Sequence, residues 1–108
     1  MTEHLVCRGF TVRERNWRPP HSHKEVDLIV QKEGVIAFVE VKGRQNDDYD
    51  PIDAVDMKKI RNIVRAADSY LRGLDEMYEY RFDIALVIGT PDDYKLEYIE
   101  DAFLPPYS

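Results

Sequence analysis

The sequence predicts a single α/β domain in which a mixed sheet of about five strands is flanked by helices, in the order α-β-β-β-α-β-β. Three observations support this prediction. The chain of 108 residues is long enough for one domain with one small core. Hydrophobic residues make up 44% and charged residues 33%, which is typical of globular rather than disordered proteins. Several β-rich runs surround one long segment whose apolar residues follow helical spacing.

The first half of the chain reads as a short helix followed by three strands. The predicted elements are a helical stub over 5–10 that ends at Gly9, then strands over 10–17, 25–31 and 35–42. Pro19 and Pro20 cannot continue a ladder, so a loop separates the first two strands. Gly34 supplies the positive φ that a tight hairpin turn requires, so the second and third strands form a hairpin.

The second half reads as one long helix and two strands. Asp50 is a suitable N-cap with Pro51 at the first helical position, and Gly73 marks the end of the helix. The apolar positions with helical spacing are Ile52, Val55, Ile60, Ile63, Val64, Ala67, Tyr70, Leu71 and Leu74. The elements that follow are a strand over 82–88 covered on both faces, a turn over 91–94 and a short strand over 96–99.

The charge distribution limits the classes of partner. The net charge of −6 argues against a strong, non-specific nucleic-acid binder. However, residues 73–108 carry all of the net negative charge, whereas residues 1–72 hold 13 basic and 12 acidic side chains. Two basic concentrations lie in that first part: Arg8, Arg13, Arg15 and Arg18, and then Lys58, Lys59, Arg61 and Arg65. The candidate nucleic-acid contacts among them are Arg15, Lys58, Arg61 and Arg65. Solvated surface charge is the alternative.

Other features lead us to expect neither a membrane protein nor a secreted one. No apolar run approaches the roughly 18–20 residues of a membrane helix, and no basic segment precedes an apolar stretch as in a secretory signal. The single cysteine, Cys7, excludes an internal disulfide and a cysteine-based zinc site. We expect it to be a small buried hydrophobe in a cytoplasmic protein.

The predicted hairpin gathers charged residues at one end. A two-residue turn at Glu33-Gly34 pairs positions whose numbers add to 67, which sets Asp27 opposite Glu40 and Glu25 opposite Lys42. The residues on the other face are all apolar. Opposed side chains in a ladder lie about 4.5–5.5 Å apart at Cβ, and like charges there destabilise the sheet unless a cation neutralises them.

Two carboxylates beside a lysine suggest metal-dependent phosphodiester chemistry. Clustered carboxylate oxygens suit Mg²⁺ or Mn²⁺, so Asp27 and Glu40 are candidate metal ligands. Lys42 is placed to orient a water or to stabilise charge on a phosphate. The alternative is a solvated sheet face on which Glu25 and Lys42 form a surface ion pair worth about 0–1 kcal/mol.

At these residues the sequence resembles the YraN family of nuclease-like proteins, which in turn resemble archaeal Holliday junction resolvases and other PD-(D/E)xK nucleases. The matching segments are Arg-Asn-Trp-Arg over 15–18, Glu-Val-Asp-Leu-Ile over 25–29, Phe-Val-Glu-Val-Lys over 38–42, the helix over 58–71, Arg-Phe-Asp-Ile-Ala over 81–85 and the segment over 96–103. The resemblance implies a restriction-endonuclease-like fold for one nuclease-like domain over 1–108, and an endonuclease activity on DNA, with branched or structured DNA as the narrower candidate.

The resemblance also assigns roles. It implies that Asp27 and Glu40 bind the metal, that Lys42 activates water or stabilises the phosphate, and that Glu25 is an auxiliary acid. It further implies a longer N-terminal helix with an acidic residue whose position would precede Met1. We therefore expect metal binding with reduced catalysis, and a weak or inactive module that binds nucleic acid or a protein partner remains the alternative. A homodimer would suit symmetric cutting of two strands, but no residue pattern here indicates one.

Overall fold

A computed structural model of the chain describes residues 2–20, 22, 25–44, 57–90 and 92–103. The elements are α1 (Thr2–Cys7), β1 (Thr11–Trp17), β2 (Val26–Lys32), β3 (Val35–Arg44), α2 (Met57–Arg72), β4 (Glu79–Thr90) and β5 (Asp93–Ile99). The five strands form one mixed sheet in the order β1-β2-β3-β4-β5. The predicted α/β class and the predicted order of elements are confirmed. Among the described residues, no helix is long and apolar enough to span a membrane.

The β2–β3 hairpin has the predicted register. Leu28 pairs with Val39 and Lys32 pairs with Val35, so partner numbers add to 67 along the ladder. Glu33 and Gly34 form the turn with φ values of 52° and 81°. Positive φ at both central residues is the signature of a type I′ turn, whose twist matches that of the two strands.

Strand β3 occupies the centre of the sheet. It pairs antiparallel with β2 on one side and parallel with β4 on the other, from Val35 opposite Glu79 to Arg44 opposite Ile88. Parallel neighbours need a crossover connection, and α2 lies in it. The central position explains the apolar run of β3, because both of its faces are covered.

Two apolar clusters cover the two faces of the sheet. The cluster on the α2 side includes Ile29, Phe38, Ile63, Tyr70 and Phe82. The cluster on the α1 side consists of Leu5, Phe10, Leu28, Val30, Ala37, Val39 and Ala85. Alternation along β2 and β3 therefore sends odd and even positions to different faces, as a pleated strand requires.

Three sequence-based expectations about local structure were wrong. Val26, which the predicted register pairs with Val41 on the same face as Leu28, instead pairs with Trp17 of β1 and packs on the α2 side. Cys7 is exposed rather than buried. The turn expected over 91–94 is shorter, since β4 continues to Thr90 and β5 already begins at Asp93.

Gly89 explains why that last hairpin is so tight. Its φ is 120°, and a Cβ at this position would lie 2.3 Å from the carbonyl oxygen of Asp93. Only glycine permits this approach of the two backbones. The predicted start of the long helix at Asp50 and Pro51 lies outside the described residues, and the described part of α2 ends one residue before Gly73, as predicted.

The buried carboxylate of Asp83 fastens β4 to the end of the chain. Arg81 Nε donates to both of its oxygens at 3.1 Å, the Tyr98 hydroxyl donates at 2.5 Å, and the Asp101 backbone N–H donates at 2.9 Å. Burial and the hydrogen bond to Asp83 raise the pKa of Tyr98, so the hydroxyl keeps its proton. Both oxygens of this carboxylate accept hydrogen bonds from within the protein, so Asp83 serves to stabilise the fold.

Replacing Asp83 by Ala should therefore lower the free energy of unfolding by about 3 kcal/mol, because Arg81, the Tyr98 hydroxyl and the Asp101 N–H would lose their acceptor. Urea unfolding followed by circular dichroism measures the change. Asp68→Ala is the matched control, because Asp68 only forms an exposed i,i+4 ion pair with Arg72, worth about 0.5 kcal/mol. Equal losses in the two variants would contradict the structural role of Asp83.

Candidate metal centre

Asp27 lies where the β2–β3 ladder stops. The last paired residues are Leu28 and Val39, and beyond them the Val41 backbone N–H donates to Asp27 Oδ2 at 2.9 Å. The side-chain carboxylate thus replaces the backbone acceptor that a continued ladder would supply. Asp27 is half-buried, and a carboxylate with one oxygen engaged in this way can accept further partners on its second oxygen.

Glu40 is the most unusual residue of the sheet. It lies on the α2-facing side of β3, two residues after Phe38, and only 2% of it is exposed. Among the described residues, its Oε2 atom is the buried side-chain oxygen or nitrogen that has no hydrogen-bond partner. A buried, ionisable group with an unsatisfied oxygen is costly, so its presence requires an explanation.

Two lysines lie on the other oxygen of Glu40. Lys59 Nζ is 3.0 Å from Oε1, and Lys42 Nζ is 3.7 Å from the same atom. Lys42 reaches it from the same strand, two residues on, and Lys59 reaches it from the first turn of α2. The site therefore combines the start of β2, the end of β3 and the start of α2.

The charges around Glu40 act on its ionisation in opposite directions. Burial raises its pKa most strongly, and the nearby negative charge of Asp27 raises it further. The hydrogen bond and charge of Lys59, and then the charge of Lys42, lower the pKa in part. The predicted ladder pair between Asp27 and Glu40 does not form, because the β2–β3 ladder ends at Leu28 and Val39, but the two carboxylates remain close enough for their charges to interact.

Lys59 is the site residue that sequence reasoning missed. It was grouped with the basic concentration of the helix, but was not assigned to the site. A signal was available, because Lys59 lies four residues before the buried Ile63 and so shares the inner face of α2. What the sequence could not show is that this face meets the end of β3.

The other sequence-predicted residues are absent from these described contacts of Asp27 and Glu40. Glu25 is exposed and precedes β2, so the ladder that would set it opposite Lys42 does not reach it. The remaining candidates for nucleic-acid contact are exposed on β1 or α2: Arg15, Lys58, Arg61 and Arg65.

Arg13 belongs to the structure rather than to a basic surface. It is the extra residue of a bulge in β1, because Val12 pairs with Val30 and Glu14 with Ile29. Its guanidinium donates to the Tyr70 hydroxyl at 2.8 Å and to the side-chain oxygen of Gln31. These contacts tie β1 to β2 and α2.

The carboxylate oxygens of this site can be compared with the ligands that a divalent cation requires. In the described part of the chain, no group of three or more His, Cys, Asp or Glu side chains is close enough to hold a metal ion. Mg²⁺ is often held by one or two carboxylates with several waters, which Asp27 and Glu40 can provide. The unpartnered Oε2 of Glu40 is the feature that fits a cation best.

Sequence comparison assigns the chain to a family. Residues 1–87 match the profile of the uncharacterised protein family UPF0102. The chain belongs to this family. Similar relatives, each named UPF0102 protein, occur in Bacteroides thetaiotaomicron (41% identical over 95% of this chain and 84% of the relative) and Parabacteroides distasonis (43% identical over the same shares). A third, from Dictyoglomus turgidum, is 38% identical over 94% of this chain and 87% of the relative.

Membership in UPF0102 does not assign an activity to this chain, because neither the family description nor these relatives' names state one. The resemblance to nuclease-like proteins therefore stays a prediction. The match includes β1, β2, β3 and α2, so the segments that supply Asp27, Glu40, Lys42 and Lys59 all lie within the part of the chain shared with the family.

The raised pKa of Glu40 makes a testable prediction about stability. The folded state holds the Glu40 proton more tightly than the unfolded chain, whose glutamates titrate near pH 4.3. The contribution of Glu40 to stability is therefore complete below that value and is lost as pH rises through the folded-state pKa. Glu40→Gln removes this dependence.

Urea unfolding of wild type and Glu40→Gln across mildly acidic to neutral pH measures the effect without added metal. The free energy of unfolding of the wild type minus that of the variant should fall as pH rises, because all other groups titrate in both proteins. A difference that rises with pH would mean that the folded state favours the charged form of Glu40.

Proposed function

We propose that this UPF0102 protein is a divalent-metal-dependent endonuclease that hydrolyses phosphodiester bonds in DNA, with branched or otherwise structured DNA as the narrower candidate substrate. The observation that carries the proposal is the Glu40 carboxylate, buried in the second half of the central strand with no partner for Oε2 among the described residues. A core position filled for packing alone would be apolar. The two lysines account for Oε1 but not for Oε2, and a bound cation would supply the partner that Oε2 lacks among the described residues.

The proposed roles follow from the contacts. Asp27 and Glu40 would hold Mg²⁺ or Mn²⁺, with water completing the coordination. The ion would polarise a phosphate oxygen and lower the pKa of a bound water. Lys42, whose side chain is 25% exposed beside Glu40, can reach solvent and is placed to orient the attacking water or stabilise the phosphate charge. Glu25, exposed before β2, keeps only an auxiliary role.

Positive charge near the site supports a nucleic-acid substrate. Lys58, Arg61 and Arg65 are exposed on α2, the helix whose first turn brings Lys59 to Glu40. Arg61 and Arg65 are four residues apart and share one face of that helix. Such side chains contact backbone phosphates without reading bases. Arg15 is exposed on the edge strand β1 and is the remaining candidate contact.

The proposed activity is tested by cleavage of labelled duplex, single-stranded and four-way-junction DNA in Mg²⁺ or Mn²⁺. We expect metal-dependent cutting that Asp27→Asn and Lys42→Ala each reduce by roughly 100-fold or more, the size of a lost catalytic group. Asp68→Asn and Lys95→Ala make the same chemical changes at exposed positions outside the site and should cut like wild type.

A second function is favoured by one observation, the small donor set of two carboxylates in the described residues. It is a catalytically weak or inactive module that binds nucleic acid or a protein partner through the same surface. Wild type that retains salt-sensitive DNA binding without cutting would overturn the enzyme proposal and support this one. In that case binding should weaken in Arg61→Ala and Arg65→Ala and persist in Asp27→Asn.

A further inference from the structure

The two lysines beside Glu40 are arranged in a way that the proposed function does not explain. Both lysines approach the same oxygen, Oε1, and Oε2 is left without a partner. The closest of the two ammonium groups, on Lys59, comes from another element of the fold and lies within hydrogen-bonding distance at 3.0 Å. An ion bound at Oε2 would lie on the same carboxylate as this ammonium group, so the two positive charges would repel each other at short range.

Among the described residues, the charges that act on Glu40 already balance its own and that of its neighbour. The carboxylates of Asp27 and Glu40 and the ammonium groups of Lys42 and Lys59 amount to two negative and two positive charges. A divalent cation added to this arrangement would leave two uncompensated positive charges in a partly desolvated site. Removing one ammonium group from contact relieves that repulsion.

Lys59 is also able to leave. Its side chain is 44% exposed, whereas the side chain of Glu40 is 2% exposed and fixed on the central strand. A lysine side chain has four flexible carbons and a strongly hydrated head, so turning the ammonium group to water costs little. Lys42, 25% exposed and on the same strand as Glu40, is the more restricted of the two.

We propose that Lys59 is a resident cation of the metal site, which holds the Glu40 carboxylate in the metal-free protein and is displaced from Oε1 when a divalent ion binds. Lys59 is thus a positioning residue, and metal affinity reflects a competition between the ion and this ammonium group. The inference rests on the proposed function only in taking Asp27 and Glu40 as ligands. It does not require that the protein cut DNA.

Binding of Mn²⁺ to the full chain at mildly alkaline pH, followed by electron paramagnetic resonance of the free ion, tests the competition. Lys59→Met should bind Mn²⁺ about fivefold more tightly than wild type, the size set by the loss of one competing ion pair. Lys59→Arg keeps a cation and should bind like wild type. Arg72→Met removes a positive charge from the other end of α2, where Arg72 pairs with Asp68, and should also bind like wild type.

Thermal unfolding supplies a second readout, because loss of a purely structural lysine would lower the melting temperature equally with and without metal. Without metal, Lys59→Met should melt below wild type because Glu40 loses its closest cation. Saturating Mn²⁺ should close this gap, since the ion replaces the ammonium group. A gap that persists in Mn²⁺ would show that Lys59 acts only in holding α2. Lys59→Gln, which keeps a donor to Oε1, allows the same comparison if the methionine variant does not fold.

The outcomes separate this inference from the proposed function. Unchanged or weaker Mn²⁺ binding in Lys59→Met overturns the inference, even if the wild type cuts DNA. Tighter binding in Lys59→Met supports the inference, even if no DNA is cut. If neither protein binds Mn²⁺, both the competition and the metal site proposed above are wrong.

Discussion

The burial of Glu40 is the constraint on which the site depends. A carboxylate at 2% exposure is tolerated in the central strand because Lys59 and Lys42 supply positive charge from two directions. Each contribution requires a particular part of the fold. The pleat of β3 aims Glu40 and Lys42 at α2, and the crossover between the parallel strands β3 and β4 brings the first turn of α2 to the end of β3. The topology of the fold therefore brings the charged groups of the site together.

The end of the β2–β3 ladder allows Asp27 to take part in this site. If β2 and β3 stayed paired beyond Leu28 and Val39, backbone groups would satisfy each other and Asp27 would be a misplaced charge on a strand. Instead Asp27 accepts the Val41 N–H, which ends the ladder and keeps a second carboxylate near Glu40. The contrast with Asp83 is instructive, because that buried carboxylate has donors on both oxygens and serves the fold alone.

The features that followed from the sequence are local ones. The Glu33-Gly34 turn and the alternation of side chains determine the β2–β3 register, so the pairing as far as Leu28 and Val39 could be predicted from a short segment, whereas the end of the ladder before Asp27 could not. Lys59 could not be assigned in this way, because its contact with Glu40 depends on how α2 docks across the sheet. Arg13 was counted with the basic surface for the same kind of reason, since only the β1 bulge turns it toward Tyr70.

The claim that most needs a direct test is that Asp27 and Glu40 together bind a divalent cation. Crystals grown with Mn²⁺ allow the ion to be located by its anomalous scattering, independently of any activity. The account predicts a single strong peak within about 2.0–2.3 Å of a carboxylate oxygen of each residue, with Lys59 Nζ no longer on Glu40 Oε1. Ordered crystals with no peak between the two carboxylates, and with Lys59 still paired to Glu40, would contradict it.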